Sequence, residues 1–155
     1  MTAVEQKLES LGLPVPAVVP PKGAYSPAVR SGEYVYTSGQ LPVVDGELLA
    51  TGKLGGEVSL EQGYEAAKIA ALNALAAVKD VVGDLDRIAQ VVKVVGYVAS
   101  TPDFTKQPLV INGASEFLGE VLGEKGQHAR SAVGMSVLPL DTPVEVEMIV
   151  RITED

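Results

Sequence analysis

The pattern of apolar residues predicts an α+β domain in the order β-β-α-β-α-β-β, with two long helices on one face of a mixed sheet. Three stretches carry this reading. In Ser59–Val82, Leu60, Tyr64, Ala67, Ala71, Leu75, Val78 and Val82 recur every three or four residues, the stripe of one long helix. Ile88–Ala99 contains Val-Val-Lys-Val-Val-Gly-Tyr-Val, a strand in composition. Near the end, Val144-Glu-Val-Glu-Met alternates apolar and acidic residues, as a strand with two different faces does. At 155 residues the chain has the length of one domain.

Each element has its own signal. Thr2-Ala-Val-Glu5 has the form of a capping box opening a short helix, with Val4, Leu8 and Leu11 on one face and Gly12 as its stop. Pro14 to Pro21 holds four prolines and is predicted to be extended. Ala28–Arg30 and Tyr34–Ser38 are short strands split by Ser31-Gly32, a hairpin signal. Gly39, Gly46, Gly52, Gly55 and Gly56 mark a loop-rich stretch with one weak strand at Glu47–Ala50. Ser59 and Gln62 cap the long helix, Gly83 ends it, and Asp84-Leu-Asp turns the chain into the strand Ile88–Ala99. Thr101-Pro102 resembles the start of a second helix, whose stripe is Ile111, Ala114, Leu118 and Val121 and which ends among Gly123 and Gly126. The last two strands are Ala129–Leu138 and Val144–Ile152, joined by the turn Pro139–Pro143.

Strict alternation in Gln90–Ala99 would set Val91, Val95, Tyr97 and Ala99 against Val92, Val94 and Val98. Both faces are then apolar, whereas a sheet wetted on one side alternates apolar with polar. Two helices cover one face, so the other is expected to meet a second subunit.

Composition excludes several chemistries. There is no cysteine, hence no disulfide, thiolate nucleophile or cysteine-bound zinc, and the single histidine, His128, allows no multi-histidine metal site. A net charge of −8 with scattered basic residues argues against nucleic acid as a partner. No secretory segment and no run of 18 apolar residues is visible, so a cytoplasmic protein with no membrane partner is expected. No glycine-rich phosphate or dinucleotide motif is present, and no cofactor is expected.

The candidate chemistry lies near the C-terminus. Arg130 stands at the start of a strand, and Glu145, Glu147 and Arg151 point away from the Val144, Val146, Met148 and Val150 face. On a face that meets a partner these carboxylates must pair or hydrogen-bond, giving an arginine–carboxylate cleft at a subunit boundary. On a free face they are two solvated glutamates.

Four motifs in register then resemble one family. Gly23-Ala-Tyr25-Ser26-Pro27, Thr37-Ser38-Gly39-Gln40-Leu41-Pro42, Ile111-Asn112, and Ala129-Arg130-Ser131 followed by Val137-Leu-Pro139 and Val144-Glu-Val-Glu147 resemble the YjgF/RidA family of imine and enamine deaminases. The resemblance spans residues 23–152. It divides the chain into an N-terminal extension with a short helix, 1–22, and a family domain, 23–155.

The resemblance implies a chorismate-mutase-like fold and a homotrimer whose sheets line a central barrel, with clefts between subunits. It implies hydrolysis of reactive 2-imino and 2-enamino acids of the 2-aminoacrylate type to 2-keto acids and ammonia. An imine carbon is already electrophilic, so neither metal nor nucleophilic side chain is needed. By the resemblance Arg130 holds the substrate carboxylate, a task suited to its planar fork. Glu147 positions the attacking water or shuttles a proton. Tyr25 closes the pocket, and Gly39 and Asn112 contribute hydrogen bonds to the substrate. Ala132 stands where many deaminating members have cysteine, no aromatic residue follows Asn112, and His128 and Met135 match no residue with a family role. A non-catalytic carboxylate-binding trimer is the alternative; ribonuclease and chorismate mutase activities fit the charge and residue set less well.

Overall fold

The computed structural model describes residues 2–154. Helix α1 (Ala3–Ser10) is followed by strands β1 (Ala28–Ser31), β2 (Tyr34–Thr37), β3 (Val43–Val44) and β4 (Glu47–Leu48). Helix α2 (Leu60–Val82), strand β5 (Ile88–Ala99), helix α3 (Gln107–Leu122), and strands β6 (Ala129–Met135) and β7 (Val144–Ile152) complete the chain. The five-stranded sheet has the order β1-β2-β7-β5-β6, and β3 and β4 form a separate hairpin. Only β5 and β6 run parallel, joined through α3; the other pairs are antiparallel. The expected mixed α+β architecture is therefore present, with α2 and α3 over one sheet face.

The sequence signals explain where elements begin. Ser59 and Gln62 close a reciprocal capping box at the start of α2. Thr2 caps α1 by accepting from the Glu5 amide, while the Asp86 carboxylate accepts from the amides of Ala3 and Val4 at 3.0 and 2.9 Å. Glu5 itself pairs with Lys79 of α2 at 2.7 Å. With Leu8 fully buried, α1 shares the core of the domain.

Three expectations need correction. The second long helix starts at Gln107, not at Thr101-Pro102, with Pro108 filling the early-helix position where a missing N–H costs nothing. Thr101 instead opens a turn, its hydroxyl donating to Asp103 and its carbonyl accepting from the Phe104 amide. The stripe of α2 does not reach Leu60, which is exposed; from Ala70 to Val78 every residue is buried, because the sheet, α3 and the β3–β4 region surround this stretch. In β5, register shifts at Ile88/Gln90 and Val91/Lys93 break the alternation, so Ile88, Val91, Val94 and Val98 all lie under the helices. Val95 and Tyr97 remain on the open face and are only partly buried.

That open face continues onto β1 and β2, where Val29 and Tyr36 stand opposite each other and are 56% and 45% exposed. No helix among the described residues is long and apolar enough to cross a membrane.

The helices approach closely where side chains are absent. A Cβ on Gly113 of α3 would overlap the Tyr64 carbonyl of α2, and one on Gly96 of β5 would meet Ile111. Gly113→Ala is therefore expected to cost about 1–3 kcal/mol of stability by forcing the helices apart. Gly119→Ala, in the same helix but exposed and with nothing within 4 Å of its Cβ, should instead gain up to about 1 kcal/mol. Denaturant midpoints of the two variants check both signs.

Candidate active site

The residues singled out in the sequence gather in two places. The first is a pocket of about 560 Å³ whose wall includes Lys22, Tyr25, Gly39, Leu140 and Glu145. Several bonds fix its geometry. Gln40 exchanges backbone hydrogen bonds with Val146 at 2.8 and 2.9 Å, setting Gly39 beside β7. The buried Asn73 of α2 donates to the carbonyls of Leu41 and Val43, holding the loop that follows. Ser38 donates through its hydroxyl to the Ser26 carbonyl and through its amide to the Pro27 carbonyl, which keeps Tyr25 near Gly39. The Lys22 amide donates to the Tyr25 hydroxyl at 3.2 Å.

Gly39 is needed here for space. Its φ is not positive, but a Cβ would overlap the Glu145 carboxylate. Glu145 is thus the carboxylate of this pocket, whereas Glu147, two residues on and on the same face, accepts from the Tyr97 hydroxyl. Burial, and then the nearby charge of Glu147, raise the pKa of Glu145 above its ordinary value. The hydrogen bond to Glu147 and burial push the Tyr97 hydroxyl up to about 12, keeping it a protonated donor.

The second place is built around Arg130. Its Nη1 donates to Asn112 Oδ1 at 2.8 Å and Ser115 Oγ at 3.2 Å, and Nη2 donates to the Pro108 carbonyl at 3.4 Å. All three partners belong to α3 and all are neutral. Among the described residues no carboxylate pairs with Arg130. Of the guanidinium's five donors, Nε–H and one Nη2–H are not used in these three bonds and remain to hydrogen-bond a carboxylate.

His128 extends this chain. Its Nδ1 lies 2.6 Å from the Gly126 carbonyl, which can only accept, so Nδ1 carries a proton, and Nε2 lies 2.8 Å from Ser115 Oγ. Ser115 thus bridges His128 and Arg130, accepting from the guanidinium. The spacing is legible afterwards in the sequence: Asn112 and Ser115 are i, i+3 on α3, and His128 and Arg130 are i, i+2 along an extended segment. Of the residues singled out in the sequence, Arg130 and Asn112 are brought together, with Ser115 and His128, which were not, joined to them; the pocket beside Gly39 is lined by Glu145 and not by Glu147.

The two places do not meet within one protomer. Arg130 is in register with Val94, buried beneath the helices, whereas Glu145 is in register with Tyr97 on the open face. They are separated by two strands and three residues of register, roughly 14 Å between Cα atoms, and point to opposite sides of the sheet. Asn112 likewise acts on Arg130 and lies apart from Tyr25 and Gly39.

Asn112→Ala is expected to weaken binding of a small 2-keto acid by about tenfold or more, the usual effect of losing a bond to a charged group. His128→Ala should weaken it less, with His128→Gln recovering part of the loss through a side-chain hydrogen-bond partner for Ser115. Calorimetric titration of the three proteins checks this order.

Comparisons with known proteins agree with the fold. Residues 5–152 match the model of the YjgF/chorismate mutase-like endoribonuclease family. Protein TCP17 of Trypanosoma cruzi is 41% identical over 150 residues, covering 96% of this chain and 94% of its own length. A RutC family protein of Pyrococcus abyssi is 33% identical over 129 residues, covering 83% of this chain and 87% of its own. The crystal structure of Atu1372 from Agrobacterium tumefaciens, a protein of unknown function, superposes with a TM-score of 0.90 at 44% identity, covering 97% of this chain and 92% of that one. The chain belongs to the YjgF/chorismate mutase-like endoribonuclease family.

Proposed function

We propose that this chain hydrolyses 2-imino and 2-enamino acids to 2-keto acids and ammonia, in clefts that form when three copies associate. The observation that carries the reading is Arg130, a guanidinium oriented by three neutral acceptors and paired with no carboxylate among the described residues. Such a group is prepared for a small carboxylate. Its separation from the Tyr25–Gly39–Glu145 pocket supports assembly, because a short substrate can span the two only if they come from different copies. The exposed Val29, Tyr34, Tyr36 and Val133 on the open face give those copies an apolar surface to share. A homotrimer with closed symmetry repeats one cleft three times.

In such a cleft Arg130 of one copy holds the substrate carboxylate. Glu145 of the next takes a proton from water as its oxygen bonds to the imine carbon. That proton passes to the nitrogen, giving a carbinolamine; Glu145 then moves the hydroxyl proton to the amino group as the C–N bond breaks, so that the carbonyl forms and ammonia leaves. Water supplies the oxygen and both hydrogens, and no redox partner is required. Tyr25 lines the approach, and Tyr97 holds Glu147 behind Glu145 with a bond from a hydroxyl that stays protonated. The family is described as an endoribonuclease family, but a net charge of −8 makes the phosphodiester backbone of RNA a poor ligand here.

The test is trapping of oxidase-generated imines by semicarbazide, in which a deaminase lowers the yield of trapped product. The lowering is expected to vanish in Arg130→Ala and to fall by 10²-fold or more in Glu145→Gln. Glu147→Gln should retain most activity. No lowering for any imine, with intact keto-acid binding, would show a carboxylate-binding protein instead. RNA cleavage retained in Arg130→Ala would point away from this cleft altogether.

The pH dependence has a defined sign. Glu145 must be ionised to accept a proton, and its pKa lies above the ordinary 4.5, so activity should fall with acidification at a midpoint above that value. In Glu147→Gln the neighbouring negative charge is gone, and the midpoint should move to lower pH.

A further inference from the structure

A cleft of about 730 Å³ opens beside the Tyr25–Gly39–Glu145 pocket, between the proline-rich segment 12–22, the β3–β4 hairpin and α2. Its walls are chiefly apolar, with Leu13, Val15, Val43, Leu48, Ile69 and Leu72 among them. Two residues, Lys22 and Leu140, line both this cleft and the pocket. A narrow space of about 40 Å³, bordered by Val19, Val43, Tyr25 and Gly39, lies where the two adjoin. The bond from the Lys22 amide to the Tyr25 hydroxyl ties the end of the proline-rich segment to the pocket.

Two details distinguish the cleft from a surface fold. Leu140 is 58% exposed and sits at φ 58°, next to Asp141 at φ 60°. Positive φ at successive non-glycine residues is costly, and here it presents a large apolar side chain at the junction of the two spaces. Asn73 is 2% exposed and lines the cleft. Both acceptors of its amide nitrogen, the Leu41 and Val43 carbonyls, require that nitrogen on their side.

At about 30 Å³ per water the cleft holds on the order of two dozen waters, far more space than a three-carbon imino acid fills. Its volume is that of a small-molecule site. We propose that it receives the side chain of the substrate, so that the protein prefers 2-imino acids bearing bulky apolar groups, of the leucine or phenylalanine type, over 2-aminoacrylate and its imine. The placement of the reacting carbon rests on the deaminase reading; the apolar preference rests on the cleft.

The full chain is assayed by semicarbazide competition on imines made by an oxidase from alanine, leucine and phenylalanine. The expected kcat/KM is at least about tenfold higher for the two larger imines. Ile69→Trp, which fills the cleft from α2, should abolish that preference and leave hydrolysis of the alanine-derived imine unchanged. Val44→Trp fills it from an exposed wall and serves the same purpose if Ile69→Trp does not fold. Equal rates on the three imines, or a preference unaltered in the folded variants, overturn the proposal. If no imine is hydrolysed, the deaminase reading fails and binding decides. Keto acid of leucine bound at least about tenfold tighter than pyruvate sustains the apolar site, and equal or absent binding overturns it.

Discussion

The hydrogen bonds from Arg130 to Asn112 and Ser115 fix where this guanidinium can act. They turn the guanidinium toward α3, on the helix-covered side of an edge strand. The carboxylates of β7 are on the other side because alternation in Val144–Ile152 commits the opposite residues to the core. The sheet therefore separates the two functional groups, and no side-chain rotation can bring them together across it. On the proposed reading, catalysis on a small substrate is a property of an assembly.

The N-terminal segment contributes at two levels. Leu8 and the Asp86 cap dock α1, so the segment that follows starts from a fixed point. Proline at residues 14, 16, 20 and 21 keeps that segment extended along the cleft. It ends at Lys22, bonded to Tyr25. Stability, cleft shape and candidate site thus share one stretch of chain. Asn73 has the same double character, since it satisfies two loop carbonyls and stands in the cleft wall.

Much of the fold was legible because its signals are local. The capping box of Ser59 and Gln62, the stop at Gly83 and the alternation of β7 depend on neighbours in sequence. The start of α3 was misread because Thr101-Pro102 and Lys106-Gln-Pro108 offer similar signals, and only packing decides between them. The faces of β5 were misread because register shifts depend on pairing with β7. At the site, Arg130, Tyr25, Gly39 and Asn112 could be found from motifs. The choice between Glu145 and Glu147 could not, because both share a face and only the Gln40–Val146 pairing puts Glu145 against Gly39. His128 and Ser115 carried spacing signals, but their link to Arg130 required α3 to lie over β6.

The central claim is that each working cleft combines Arg130 of one copy with Glu145 of another, and mixing two inactive variants tests it most directly. Arg130→Ala and Glu145→Gln chains are unfolded together, refolded at equal ratio and assayed for imine hydrolysis, with mixed assemblies verified by mass spectrometry. In a cyclic trimer every mixed assembly contains one cleft with both residues intact, so about a quarter of wild-type activity should return. Mixed trimers that form and remain inactive would contradict the account and place both residues' function within a single protomer.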